Sequence, residues 1–381
     1  MGQSPSVDAL TRAVERAQAS SSQERDTSPS LGSSTDTLRA AKRECSKTNR
    51  VDPVVGVKAF FDGLNDTDKF EYCLGFDKPG APPLAESVTL IALECGTILG
   101  EEHVMDIGLH VIEREDMRRH LPFPGPHSAN LLKSVAYHHL RMQKNARYVN
   151  QLPDPNHGES NHFGATRFVD EEEVAAFLEA CFVRCIKNEP EETIDDPIRD
   201  GYVMPQSEEG EFRPVVLVNF HLDQLHKLRL LQKTFDCRPD IWNNVVGTIS
   251  TQDIATQQGF DWRDTKITLS QLCCGFGFSH LDSGSAADYA AYTLICAVQM
   301  VMRRRLPLAR ESIQSVVNTT MLYSQSIVPA WGKKNFCTRC AKDTHRRPAC
   351  DWMHVAVVCS NCGRSGRRNL MYAHTLKVCG W

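Results

Sequence analysis

From residue 88 to residue 249 the chain sets short apolar runs of strand length between segments whose apolar residues recur every three or four positions. VTLIALECGTILGEEHVMDIGLHVIE (88–113) opens the series with two apolar runs, 88–93 and 103–112, joined by a short acidic turn. Residues 170–187 then place Val174, Phe177, Leu178, Cys181 and Cys185 at helical spacing, and the acidic loop NEPEETIDDPIRDG leads on to a strand at 214–218. A helix at 222–234 and a strand at 244–249 follow, then a short element, 265–273, ending in a Cys-Cys-Gly-Phe-Gly turn, and a long, mostly apolar helix at 286–305. Strands that alternate with helices bury both faces of a sheet, so the expected class is α/β, a mixed sheet flanked by helices. The connection between 118 and 168 is long, which points to an elaborated domain; no internal repeat is visible.

At 381 residues and 41% apolar composition the chain is expected to form two domains and a tail. Residues 1–52 are rich in Ser, Gln, Thr, Arg and Glu and cannot bury a core, so a disordered tail is expected there. Residues 53–85 are a lead-in segment carrying Phe60, Phe61, Phe70, Tyr72 and Phe76, closed by the breaker KPGAPP. A main domain at 86–310, a connector at 311–332 and a small basic domain at 333–381 complete the division. The net charge of −4 is a sum of opposites: ten Lys/Arg stand against two Asp/Glu from Lys333 onward. The longest apolar run, 286–302, contains Asp288 and Gln299 and is too short and polar for a bilayer span. Nothing resembles a signal peptide, so a soluble, intracellular protein is expected. Fifteen cysteines, six of them in the last 45 residues, read in a reducing compartment as thiols and metal ligands. The opening Met-Gly-Gln-Ser-Pro-Ser fits the loose pattern for N-myristoylation at Gly2.

Three stretches resemble one family. The 88–113 pair looks like the first motif of DEDD-type 3′-5′ exonucleases; YVNQLPDPNHGESNHFGATRFVDEEEV resembles the connecting segment ending in Phe-Gly-x-Ser/Thr-x-Phe; HLDSGSAADYAAYTL looks like an altered form of the His-Asn-Ala-Gly-Asn-Asp-Ala-x-Tyr-Thr-Leu helix start. The order of segments over 88–302 is similar to that of the fungal Gfd-type exonuclease-like proteins linked to mRNA export. This resemblance implies a ribonuclease-H-like fold and a nucleic-acid partner, RNA foremost.

The chemistry of that family, as the resemblance implies it, needs converging carboxylates to hold two divalent ions, with a His or Tyr to handle the attacking water. Carried over residue by residue, the Asp of the first motif falls on Glu94 and its Glu on Gly96; the second-motif Asp falls on Leu225 in VNFHLDQLHKL. In the third motif Asp288 is the surviving acid, Ser283 stands five residues before it where the His belongs, and His280 is displaced nearby. Glu94 and Asp288 are therefore expected as catalytic remnants. Asp106, Asp223 and Asp282 are available for a rebuilt site, with surface or helix-capping carboxylates as the plainer reading. Cys273, Cys274 and His280 lack an oriented base and read as packing, as do Cys181 and Cys185.

Two Cys-x-x-Cys pairs, Cys337/Cys340 and Cys359/Cys362, offer four thiolates for a structural Zn²⁺ in a zinc ribbon. Cys350, His354, His374 and Cys379 are candidate ligands for a second zinc. Lys333, Lys334, Arg339, Arg346, Arg347, Arg364, Arg367 and Arg368, with Trp352 and Tyr372 among them, form a basic surface able to neutralise phosphates. The expectation is a catalytically degenerate, exonuclease-like nucleic-acid-binding or adaptor protein with a zinc module, open to protein partners. Two alternatives stand beside it: an active Mg²⁺- or Mn²⁺-dependent 3′-5′ exonuclease with rearranged acids, and a two-zinc interaction or ubiquitin-ligase-type module.

Overall fold

The computed structural model describes residues 53–97, 103–145, 161–183, 212–221, 224–260, 266–281, 284–306, 309–337, 340–346, 349–351, 360, 364 and 365. The expected tail at 1–52, with Gly2, lies outside them. A six-stranded sheet of order β4-β3-β2-β1-β5-β6 organises the rest. Its strands are β1 (Thr89–Thr97), β2 (Val104–Glu113), β3 (Ala136–Met142), β4 (Thr166–Val169), β5 (Val215–Asn219) and β6 (Val245–Ser250). β1, β2 and β3 pair antiparallel, whereas β5 runs parallel to β1, β6 parallel to β5 and β4 parallel to β3. This is the expected ribonuclease-H-like mixed sheet.

The alternation of side chains along each strand divides the core in two. Leu90, Ala92, Ile112, Val216 and Val218 face one layer, built from α1 (Pro53–Asp62), α2 (Asp66–Cys73), α7 (Thr251–Gln257), α8 (Leu269–Phe276), α9 (Ala286–Met302) and α10 (Ile313–Ser326). Ile91, Leu93, Leu109, Val111, Val215 and Leu217 face the other, covered by α5 (Glu171–Phe182) and α6 (Gln224–Phe235). α9 is buried almost all round, which its apolar sequence requires. It lies so close to β2 that a Cβ on Gly108 would stand 2.3 Å from Ala287 Cα. Ser285 caps it, accepting from Ala287 N at 3.2 Å.

The lead-in segment seats on this layer through Phe61, Phe70 and Tyr72. The fully buried Arg114, first residue of α3 (Arg114–His120), stacks on the Tyr72 ring at 3.9 Å, donates to the Tyr72 carbonyl and pairs with Asp77 and Glu86. Such pairing is what makes a buried charge tolerable.

Three features depart from the sequence reading. The long 118–168 connection contains a short helix, α4 (Ala129–Lys133), and two strands, β3 and β4. β3 was hidden by composition: AYHHLRM carries His138, His139 and Arg141, all buried. The stretch expected as a connector carries α10, whose Val316, Val317 and Met321 pack into the core. The Cys-Cys-Gly-Phe-Gly turn is the last turn of α8, closed by Gly277 in the left-handed conformation.

Candidate active-site cleft and metal cluster

On the α9 face of the sheet, the C-terminal end of β1 and the start of α9 border a cleft of about 280 Å³. Glu94, Cys95 and Gly96 line it from β1, with Lys227 of α6, His221, His280, Ser285, Asp288 and Tyr289 around them. Both expected remnants, Glu94 and Asp288, are thus brought to one site, and each is nearly buried. Asp288 faces the 161–164 segment. Its Oδ1 accepts from the His162 and Phe163 backbone N–H groups at 2.8 and 3.1 Å, and its Oδ2 lies 2.7 Å from His162 Nδ1. That hydrogen bond raises the pKa of His162 above its ordinary value, against the opposing effect of burial.

Glu94 is engaged by a cation of the protein itself. Lys227 Nζ stands 2.7 Å from Glu94 Oε2, and both side chains are about nine-tenths buried. Asn219, with its amide oxygen turned to Nζ, accepts at 3.0 Å and donates to the Val218 carbonyl at 2.7 Å.

Gly96 is directly paired with Asp106 across the β1–β2 register. A Cβ on Gly96 would stand 1.9 Å from Asp106 Oδ1, so no side chain fits there while Asp106 keeps its place. Asp106 is held firmly: its Oδ2 accepts from Ala286 N at 2.9 Å, at the head of α9, and from His139 Nε2 at 3.1 Å. The other ring nitrogen of His139 takes the Thr166 hydroxyl at 2.9 Å. Asp106 thus meets the first N–H of α9 from a buried position. Asp223, Asp282 and Ser283 lie outside the described residues, as does the side chain at Leu225.

The segment 161–168 shows why a Phe-Gly-x-Thr-x-Phe stretch accompanies such a cleft. Phe163 packs against Tyr137 and Tyr292. Gly164 is left-handed and so close to β3 that a Cβ would lie 2.7 Å from the Tyr137 carbonyl. Thr166 holds His139, and Phe168 packs against Phe336 with the rings tilted and their centroids 5.7 Å apart.

A protein-family model, the DEDDh group described as DNA polymerase III subunit epsilon-like, C-terminal domain, matches residues 91–300, more than half of the chain. The chain belongs to this family. A search of the curated proteins gave no match. Membership makes the cleft an exonuclease-type cleft, and the matched span takes in every residue of it named above. Among the described residues, two carboxylates, Glu94 and Asp288, line the cleft, and both are engaged within the protein. Gly96 offers no side-chain ligand and has no room for an acid while Asp106 keeps its place, Glu94 Oε2 is paired with the Lys227 ammonium, and Asp288 is hydrogen-bonded by the 162–163 backbone and His162.

A second cluster lies toward the C-terminus. Cys337, Cys340, His345 and Cys350 bring one ligand atom each within 4.8 Å of one another, an arrangement able to hold a metal ion. Cys337 and Cys340 were expected together. Cys350 was expected in a separate site and instead joins them, and His345, not foreseen, completes the set; the C-x2-C-x4-H-x4-C spacing was the available signal. Cys359, Cys362, His354, His374 and Cys379 lie outside the described residues. Of the basic surface, Lys333 pairs through its backbone with Phe168 and reaches Gln143 Oε1 at 3.3 Å, and Arg346 sits over the Phe168 ring. Lys334 accepts from Arg346 through its carbonyl, and Arg364 is exposed. Arg339, Arg347, Arg367 and Arg368 lie outside the described residues. Cys181 and Cys273 are buried as packing thiols, and Cys273 Sγ is 3.6 Å from Cys296 Sγ.

Proposed function

We propose that this DEDDh-family protein binds nucleic acid, RNA in the first instance, through an exonuclease-type cleft that has given up two-metal hydrolysis. The observation that carries the reading is the Lys227–Glu94 pair: a lysine ammonium stands 2.7 Å from the carboxylate that would ligate an ion, and supplies a fixed positive charge in its place. The close approach of Asp106 to Gly96 agrees with it, because no acid can be added at position 96 while Asp106 is held by Ala286 N and His139. The basic segment from Lys333 onward adds charge for phosphates. A role of the Gfd type, as an adaptor in the nucleus or cytoplasm, agrees with this reading.

The test is binding of a fluorescent single-stranded RNA to the full chain with no added Mg²⁺ or Mn²⁺, across a salt series. Binding that weakens steeply with salt, with the strand left intact when Mn²⁺ is added, is the expected result. Absence of binding at low salt would remove the proposal.

A second reading, metal-dependent 3′-5′ hydrolysis, has one observation in its favour: Asp288 has a histidine at 2.7 Å, although it comes from residue 162 and not from five residues upstream. Shortening of a labelled strand from its 3′ end, lost in both Glu94→Ala and Asp288→Ala, would establish it.

A further inference from the structure

The geometry points to Cys337, Cys340, His345 and Cys350 as the complete ligand set of one Zn²⁺, and to that ion as the clasp that seats the segment around Lys333 on the β4 edge of the sheet. We propose this as a site independent of the exonuclease-type cleft. Three thiols and an imidazole with ligand atoms within 4.8 Å of one another can close a disulfide or hold a metal ion. A disulfide would use two sulfurs and strand the third beside His345, whereas a tetrahedral zinc uses all four groups. With Zn–S near 2.3 Å and Zn–N near 2.0–2.1 Å at tetrahedral angles, sulfur and nitrogen ligands should lie roughly 3.6 Å apart. Cys340 Sγ and His345 Nε2 are 3.5 Å apart. The other ring nitrogen, Nδ1, is 3.0 Å from the Thr344 hydroxyl, the kind of outer contact that fixes a ligand imidazole's tautomer and orientation.

The backbone is already wrapped for the purpose. Cys337 N donates to the Lys342 carbonyl and Ala341 N donates to the Cys337 carbonyl, each at 2.8 Å. This tight turn puts Ala341 at φ 59°, a conformation that a residue with a Cβ keeps only where its surroundings fix it. Apolar packing supplies little of that fixing, since Phe336 against Phe168, with Ala341 beside them, is the local cluster. A loop so small ordinarily folds on its metal. Immediately before the cluster, Lys333 exchanges two backbone hydrogen bonds with Phe168 of β4, at 2.8 and 2.9 Å, and covers a strand edge that would otherwise be open. The left-handed Gly332 packs so tightly on Val169 and Arg167 that a Cβ would reach 3.0 Å.

The experiment is metal analysis of the full chain purified with zinc, together with amide hydrogen exchange. Cys350→Ser and His345→Ala should each lose one equivalent of zinc relative to the parent, and exchange at the Phe168 and Lys333 amides should accelerate by about tenfold or more as the edge opens. His345→Cys should keep the equivalent, and its cobalt(II) form should shift from a three-thiolate to a four-thiolate spectrum. The Cys359→Ser/Cys362→Ser double variant should retain this equivalent. Loss of the same equivalent in that double variant, with retention in His345→Ala, would overturn the ligand set in favour of the two Cys-x-x-Cys pairs. Zinc loss without faster exchange at the β4 edge would overturn the clasp.

Discussion

The contact between Gly96 and Asp106 gives a prediction whose size follows from the structure. Gly96→Ala adds a Cβ at a point 1.9 Å from Asp106 Oδ1, deep inside van der Waals contact, so the carboxylate must leave. In leaving it gives up Ala286 N at the head of α9 and Nε2 of His139. A helix cap is worth about 0.5–2 kcal/mol, and a hydrogen bond to a charged group about 1.5–3 kcal/mol. Gly96→Ala should therefore destabilise the protein by roughly 2–5 kcal/mol, and Asp106→Ala by a similar amount for the same reason. The double variant is the informative one. With Asp106 already truncated the three atoms nearest the new methyl are gone, so Gly96→Ala should then cost less than about 0.5 kcal/mol, the range of an uncoupled change. Equilibrium denaturation in urea of the parent, both single variants and the double, analysed as a cycle with a common m-value, measures the coupling. Equal costs for Gly96→Ala in the two backgrounds would show that Asp106 does not occupy the space of the missing acid.

Removing one member of the buried ion pair, as in Lys227→Met, takes the ammonium from Glu94 and should cost about 3–5 kcal/mol; the double variant Glu94→Leu/Lys227→Met should recover most of it in the same denaturation assay. Burial holds His110 and His138 neutral, their pKa values pushed down to about 4 and about 3, and no protein hydrogen bond reaches either ring nitrogen of His138 among the described residues. The unfolded chain takes up these protons near pH 6.5, so stability should fall as pH drops from about 6.5 toward 4, and His138→Leu should flatten that fall. His162 has the opposite sign: its raised pKa gives stability that is full below about 6.5 and lost as pH rises through the folded value, so His162→Gln should cost more at acid than at alkaline pH. Thermal melts across the pH range separate the two.

Much of the framework was legible because periodicity writes it plainly: β1, β2, β5, β6 and α9 stand where apolar alternation and the long apolar helix put them. β3 was not, because its core-facing residues include two histidines and an arginine, whose burial depends on partners far away in sequence. The site was legible only as a set of losses. Glu94 and Asp288 could be placed by resemblance, but Lys227 is an ordinary helix residue until α6 carries it to β1. His162 likewise lies 126 positions from the acid that it pairs with. Gly96 was visible as a missing ligand; its cause, Asp106 in cross-strand register, needs the pairing itself. His345 is the reverse case, since its spacing from Cys340 and Cys350 stood in the sequence and was masked by the more conspicuous Cys-x-x-Cys pairs.

The most direct measurement is a crystal of the protein soaked in Mn²⁺ and recorded at the manganese absorption edge. A cleft that carries its own cation should show Lys227 on Glu94 and no manganese signal between Glu94 and Asp288. Two manganese peaks coordinated there, with Lys227 turned away, would contradict the account.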